Sequence, residues 1–175
     1  MRLKEYLKKR KKTDRDLGDQ ENILHMVMGL ITEVDELINC KAYEVTDETG
    51  DLCWYLYKPL SMNKEIFSTT TRFNKILDVD IQYDIQEIKM KCLDSYKKIR
   101  FQQHDINTMR KDGHTHLEMF KMLMHFCLNL INKNIRTYGL TDRHIYTNNI
   151  NKLSNRYKGG TFNKNLSMKR SDKNE

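Results

Sequence analysis

The sequence has little proline and little glycine. Its 175 residues include one proline and seven glycines, too few turn residues for a sandwich or barrel of many short strands. No uninterrupted apolar run approaches the roughly 20 residues that a membrane-spanning helix needs. Hydrophobic residues nevertheless make up 38 % of the chain, enough for a domain of this length to bury a core. We therefore expect a single all-α domain over residues 1–175 and no membrane segment.

Cysteine pairs at metal-binding or redox spacing are also absent. The four cysteines are far apart in the chain, at Cys40, Cys53, Cys92 and Cys127. Zinc knuckles and redox dithiols usually need close spacing, so we expect reduced and mostly packed thiols. The basic N-terminus lacks the apolar segment and the cleavage site of a secretory signal. A cytoplasmic location is therefore expected.

The histidines do not indicate a metal site. His114 and His116 form an HxH pair in a predicted loop, and His104 and His125 lie near them only in sequence. Because no cysteine or acid completes the set, zinc is not expected there. His25 lies on the polar side of the first long predicted helix, where we expect it to be solvated.

The excess of positive charge lies at the two ends of the chain. The formal net charge is +7, with eight Lys or Arg against two acids in residues 1–15 and six against two in residues 156–175. Solvated flanks are the commoner reason for such a pattern, and contact with nucleic acid is the other. We expect a basic arm over residues 1–18 and a mobile tail over about 163–175, with nucleic acid an unlikely partner.

Apolar residues recur at helical spacing in several segments. The first helix is predicted from an N-cap at Asp19 to about Asn39, and the second from a cap at Thr46 through Tyr57, where Pro59 ends it. The short link between them indicates an antiparallel hairpin. Further helices are predicted over residues 80–103, 116–135 and from Thr141 or Asp142 to near Tyr157, while residues 60–79 are ambiguous. Together they predict a helical bundle built on the hairpin.

Acidic side chains cluster on this hairpin. At about 100° per residue, Glu33 and Glu36 share one flank of the first helix, with room beside Gly29 one turn earlier. Glu48 and Asp51 are separated by only about 60° on the second helix. Four converging carboxylates repel one another unless a cation lies between them, and oxygen ligands suit a hard ion such as Mg²⁺.

Two further considerations bear on this cluster. The nearest lysine in the sequence, Lys41, lies in the link and cannot neutralise four acids. The alternative is that the acids only line the solvated faces of two helices.

These residues resemble a known family. The segments GLITEVDEL and ETGDLCWYL resemble the paired ExxE and ExxD motifs of MazG-like nucleoside triphosphate pyrophosphohydrolases, the all-α superfamily that includes the dimeric dUTPases. The segment NINKLSNRYKGGTF resembles the closing N-x-x-K-L-x-x-R-Y segment of that family, and YGLTDRHIYT resembles the stretch before it. Small members pass from one motif to the other in a few dozen residues. Residues of about 60–135 are therefore interpreted as a helical insertion that lines the pocket, extends a dimer interface or binds another molecule.

The resemblance implies Mg²⁺-dependent hydrolysis of an NTP or dNTP to the monophosphate and pyrophosphate, for nucleotide-pool control, by a homodimer or homotetramer. The implied metal ligands are Glu33, Glu36, Glu48 and Asp51, with Mn²⁺ as an alternative ion. Glu36 and Glu48 are the predicted catalytic carboxylates.

The implied substrate-binding residues are Asn149, Lys152, Arg156 and Tyr157. Tyr55, one turn after Asp51, is a further candidate for contact with the base, whereas Trp54 is expected in the core. Ordinary roles remain open for these residues: a basic last turn for Lys152 and Arg156, a surface amide for Asn149 and a packed ring for Tyr157. Two other functions also remain open. One is a protein that binds a nucleotide or signalling phosphate without cleaving it, and the other is a basic helical protein that binds nucleic acid.

Overall fold

The computed structural model of the chain describes residues 1–15, 17–61, 84–157 and 161–163. Within these ranges the chain forms six α-helices and one short 3-10 helix, and no strand. The helices are α1 Leu3–Lys12, α2 Asp19–Asn39, α3 Val45–Leu56, the 3-10 helix Lys58–Ser61, α4 Ile85–Gln102, α5 His116–Tyr138 and α6 Asp142–Arg156. The predicted all-α helical bundle is confirmed. None of these helices is long and apolar enough to span a membrane.

Helices α2 and α3 form the predicted hairpin. Helix α2 ends at Asn39 as predicted, but its N-cap is Gly18, at φ +83°, and not Asp19. Helix α3 begins at Val45 rather than after a Thr46 cap. The Glu44 carboxylate accepts a hydrogen bond from the Lys41 amide, and the Glu44 carbonyl accepts from the Glu48 amide. The link between the two helices therefore ends at Glu44, and α3 begins at the next residue.

Apolar faces from all six α-helices meet in a shared core among the described residues. Its most deeply buried members include Tyr6, Leu30, Leu52, Phe120 and Ile145, from α1, α2, α3, α5 and α6 respectively. The apolar stripe predicted on α2 is buried from Ile23 to Leu37, because its members recur at the helical period and face this core, whereas its last member, Ile38, is 50 % exposed.

The expectation of a solvated basic arm is wrong for one face of that segment. Residues 3–12 form α1, in which Tyr6 and Arg10 are both fully buried. The Tyr6 ring stacks on the Tyr146 ring of α6 at a centroid distance of 4.5 Å. The Arg10 guanidinium donates to Asp14 at 3.0 Å, and Asp14 also accepts from Lys58 at 2.6 Å. Helix α1 is therefore part of the bundle.

Helices α4 and α5 lie within the segment that was interpreted as an insertion. Helix α4 begins after an Asp84 N-cap, and the predicted start at residue 80 lies outside the described residues. Helix α5 begins with a capping box between Thr115 and Glu118 and ends at Tyr138, with Gly139 as its C-cap at φ +61°. The Lys89 ammonium of α4 donates to Asp35 of α2 at 2.5 Å. The described part of the segment is thus packed against the hairpin.

Helix α6 and the C-terminal end complete the bundle. The Thr141 side chain accepts a hydrogen bond from the His144 amide, so the N-cap of α6 is Thr141 and not Asp142. Most of the predicted mobile tail, from residue 164 onward, lies outside the described residues.

Candidate metal centre

Three of the four predicted metal ligands converge. Glu33 and Glu36 of α2 and Glu48 of α3 each present one carboxylate oxygen, and these oxygens all lie within 4.8 Å of one another. Glu33 and Glu48 are partly buried, whereas Glu36 is exposed. Within the described ranges, no other set of three or more His, Cys, Asp or Glu side chains has this geometry. The rotation argument for α2 and the hairpin pairing together account for this acidic trio.

Glu33 is one of the two partly buried members of the acidic trio. Burial raises the pKa of Glu33 to about 8, and the nearby charges of Asp51, Glu36 and Glu48 add to the rise. Its Oε2 atom is buried and has no hydrogen-bond partner among the described residues. A buried carboxylate oxygen without a donor is costly to keep, so this position favours either a proton or a cation.

Asp51 lies beside the acidic trio but is held by other groups. Its carboxylate accepts from the Lys152 ammonium at 2.5 Å and from the Asn149 side-chain amide at 2.9 Å. Asp51 is nevertheless the strongest charged neighbour acting on Glu33. Lys41 is the nearest lysine in the sequence, but the lysine that pairs with Asp51 is Lys152 of α6, 101 residues along the chain.

The charge on Lys152 is maintained by its acidic neighbours. Burial acts to lower the pKa of Lys152, but the acids around it, Asp51 foremost, together outweigh this effect and the pKa lies above its ordinary value. Glu48 and Asp47 act in the same direction. Lys152 thus remains a cation at the edge of an otherwise acidic site.

Two glycines permit the close packing around the site. A Cβ atom on Gly50 would lie 3.0 Å from the Asn149 Cβ, so a glycine between Glu48 and Asp51 lets α6 approach α3. A Cβ atom on Gly29 would lie 2.2 Å from the Tyr55 ring. The room expected beside Gly29 is therefore filled by Tyr55, which packs next to the acidic trio.

The remaining predicted substrate-binding residues differ in exposure. Asn149 is 1 % exposed and Tyr157 is 4 % exposed, with the Tyr157 ring 5.7 Å from that of Phe162. Tyr157 therefore has the packed position that was its alternative, whereas the alternative of a surface amide is wrong for Asn149. Arg156 is partly buried and close enough to lower the pKa of Asp51 electrostatically, against the effect of burial. Lys152 and Arg156 are thus the two predicted residues that bring positive charge to the site.

His25 and Trp54 form an aromatic group behind Tyr55. The His25 ring packs edge-on against Tyr55 at 5.5 Å and against Trp54 at 6.2 Å, so the expectation of a solvated histidine is wrong. Burial lowers the pKa of His25. The Trp54 indole is partly buried and donates to the Thr13 hydroxyl at 3.3 Å. Through these contacts Tyr55, which packs next to the acidic trio, is connected to the segment that follows α1.

The expectation that His104 lies near His116 only in sequence is wrong. His104 Nδ1 and His116 Nε2 lie 3.4 Å apart. In the part of the chain that the structure describes, no third metal ligand joins them. This pair ties the loop after α4 to the start of α5.

Comparison with known proteins adds no relative to this picture. No protein-family model matches the chain, and neither curated proteins nor solved structures gave a match.

Proposed function

We propose that the protein is a MazG-like, Mg²⁺-dependent pyrophosphohydrolase that converts an NTP or dNTP to the monophosphate and pyrophosphate. The observation that carries the proposal is the acidic trio, whose three carboxylate oxygens lie within 4.8 Å of one another. The order of the ExxE, ExxD and N-x-x-K-L-x-x-R-Y motifs supports the same activity. We further propose that it works in the cytoplasm as a homo-oligomer in nucleotide-pool control.

The acidic trio fits a divalent cation by its chemistry. Carboxylate oxygens are the ligands that Mg²⁺ prefers, and the ion usually keeps several waters and binds substrate phosphates. The buried Oε2 of Glu33 has no donor among the described residues, as expected of an atom that a cation would satisfy. Mn²⁺ prefers similar ligands and should substitute.

Each residue of the site has a defined part in the proposed reaction. Bound Mg²⁺ would neutralise phosphate oxygens and lower the pKa of a coordinated water. Glu33, Glu36 and Glu48 would hold the ion, and the exposed Glu36 would also accept a proton from water. Lys152 and Arg156 would balance the charge that develops on the phosphates and on the departing pyrophosphate.

A product assay tests the proposal. Purified protein with Mg²⁺ and a panel of NTPs and dNTPs should release pyrophosphate rather than orthophosphate, and chelation of the metal should stop release. Glu48→Gln should reduce the rate to that seen without Mg²⁺ while the helical circular-dichroism signal stays unchanged. Glu21→Gln is the matched control. It removes one acid from the exposed Glu21–Arg100 ion pair at the start of α2, about 18 Å along the helix from Glu33, and should leave the rate unchanged.

The two other functions give different results in the same preparation. Tight nucleotide binding without pyrophosphate would indicate a binding protein and would contradict the proposed hydrolysis. Binding to nucleic acid that falls steeply with salt would indicate the second alternative. Because α1 buries Tyr6 and Arg10, charge reversal at the exposed Lys8 and Lys12 is a better probe of that alternative than deletion of the segment.

A further inference from the structure

A buried hydrogen-bond chain connects α1 to the acidic site. The Tyr6 hydroxyl donates to Asn149 Oδ1 at 2.9 Å, and Asn149 Nδ2 donates to Asp51 Oδ1 at 2.9 Å. Tyr6 is fully buried and Asn149 is 1 % exposed. This hydrogen-bond chain therefore runs through the interior, from α1 to the Asp51 carboxylate beside the acidic trio.

The donors and acceptors of Tyr6, Asn149 and Asp51 allow only one direction for these hydrogen bonds. An ionised carboxylate only accepts hydrogen bonds, so Asp51 must face the NH₂ side of the Asn149 amide. That orientation turns the amide oxygen toward Tyr6, whose hydroxyl must then donate. If the amide flipped, its oxygen would face the Asp51 carboxylate, and two acceptors would meet without a proton. Tyr6 thus supports the only amide orientation that also serves Asp51.

The Tyr6 ring is itself held in place. It stacks on Tyr146 at 4.5 Å and contacts Tyr57 edge-on at 6.2 Å. Its hydroxyl therefore has a fixed position relative to α6. Because Gly50 lets α6 approach α3 closely, that position is transmitted to Asp51 through a single side chain.

We propose that Tyr6 is a positioning residue of the metal centre, which acts through Asn149 to hold the Asp51 carboxylate beside the acidic trio. The inference rests on the proposed function, since it concerns the ion that the acidic trio would bind. It adds that helix α1, which carries none of the acidic motifs, sets the affinity of the site for its cation. Hydrogen-bond partners outside the ligand shell commonly change metal affinity by about 10- to 100-fold when they are removed.

Manganese binding to the full chain without substrate tests the inference independently of turnover. The dissociation constant for Mn²⁺ would be measured by electron paramagnetic resonance for the wild type and for Tyr6→Phe. We expect Tyr6→Phe to weaken binding about 10-fold. Tyr57→Phe is the matched control, because it also removes a buried hydroxyl from this cluster, one that contacts the Tyr146 hydroxyl at 3.2 Å rather than Asn149. It should bind Mn²⁺ as the wild type does.

A double-mutant cycle tests whether Tyr6 acts through Asn149. Asn149→Leu keeps the side-chain shape and removes both hydrogen bonds, so it should weaken Mn²⁺ binding by itself. In that background Tyr6→Phe should have less than about a two-fold further effect. Additive effects would show that Tyr6 acts by another route and would overturn the inference. If Tyr6→Phe folds poorly, Asn149→Leu alone tests the hydrogen-bond chain, and an Mn²⁺ affinity equal to that of Tyr57→Phe would overturn the inference.

The outcomes separate the two proposals. Equal Mn²⁺ affinity in Tyr6→Phe and Tyr57→Phe, with binding by the wild type intact, overturns the positioning role and leaves the proposed function standing. Failure of the wild type to bind Mn²⁺ contradicts the proposed function, and the positioning role falls with it. Binding by the wild type without pyrophosphate release contradicts hydrolysis alone.

Discussion

At the scale of single residues, Gly29 has the closest neighbour of the described glycines. A methyl group there would lie 2.2 Å from the Tyr55 ring, and that ring is confined by Trp54 and His25. Gly29→Ala should lower the free energy of unfolding by about 1–3 kcal/mol, because the overpacking outweighs the gain in helix propensity. Urea denaturation would measure it.

The control for this prediction is Thr32→Ala, on the exposed side of the same helix. It should change stability by no more than about 0.5 kcal/mol. A Gly29→Ala protein as stable as this control would show that Tyr55 does not fill the space beside Gly29.

The protonation of Glu33 predicts a pH dependence in the metal-free protein. Its pKa is about 8 in the folded chain against an ordinary value of 4.5, so between these values the folded state binds more protons than the unfolded state. The free energy of unfolding should therefore fall as pH rises from about 4.5 to about 8. Glu33→Gln lacks this loss and should exceed the wild type in stability above pH 8, with the difference gone by about pH 5.

Urea denaturation in a chelating buffer over pH 5–9 would measure this difference. Added Mg²⁺ should stabilise the wild type at high pH more than it stabilises Glu33→Gln, because a ligand that binds only the folded state adds to its stability. Parallel pH curves for the two proteins would contradict the burial of Glu33 among like charges.

The residues of the acidic trio could be predicted because their grouping depends on local geometry. Rotation along one helix brings Glu33 and Glu36 to the same flank, and a short link places Glu48 opposite them. The pairing of Asp51 with Lys152 could not be predicted in this way, because α3 and α6 meet across 101 residues of sequence. Nothing local fixes which side of α6 faces α3.

At the scale of elements, the position of α1 depends on one carboxylate, that of Asp14, whose side chain is 10 % exposed. Asp14 pairs with Arg10 and Lys58, whose side chains are 0 % and 1 % exposed. Asp14→Asn should lower the free energy of unfolding by about 3–5 kcal/mol, because it removes the anion between two buried cations. Thermal or urea unfolding would measure the loss.

A surface ion pair on the same helix provides the comparison. Glu5 and Lys9 pair at 3.0 Å with side chains 53 % and 47 % exposed, and Glu5→Gln should cost no more than about 1 kcal/mol. Similar small losses in both variants would show that the Asp14 cluster does not anchor α1.

Helix α1 also shows where sequence interpretation failed for an element. The density of lysine and arginine in residues 1–15 suggested a solvated arm, and this masked a stripe of Leu3, Tyr6, Leu7 and Arg10 at helical spacing. That stripe was the sequence signal from which a packed helix could have been predicted. No sequence signal indicated that Arg10 is buried, because its burial depends on Asp14 and on the face of Trp54, whose ring centroid lies 5.2 Å from the guanidinium carbon.

At the scale of the whole molecule, the shared core predicts cooperative unfolding. The sole tryptophan, Trp54, lies on α3 of the hairpin, whereas α4 and α5 supply much of the helical signal. Because these helices bury residues in the same core, tryptophan fluorescence and far-ultraviolet circular dichroism should give the same urea midpoint. Phe120→Ala in α5, which removes a fully buried ring, should lower both midpoints together and cost about 3–5 kcal/mol.

Separate midpoints would instead show that α4 and α5 unfold independently of the hairpin. The segment would then be an appended unit rather than part of the bundle. Whether α4 and α5 belong to the shared core could not be predicted from the sequence, because an inserted helix and a core helix show the same helical periodicity. Only the packing of Lys89 against Asp35 and of the apolar faces distinguishes them.

The account depends most on whether the acidic trio binds a divalent ion, and anomalous diffraction from crystals grown with Mn²⁺ tests this directly. We predict an anomalous peak among the carboxylates of Glu33, Glu36 and Glu48. Crystals of Glu48→Gln should show a much weaker peak. Wild-type crystals saturated with Mn²⁺ that lack a peak between these three side chains would contradict the account.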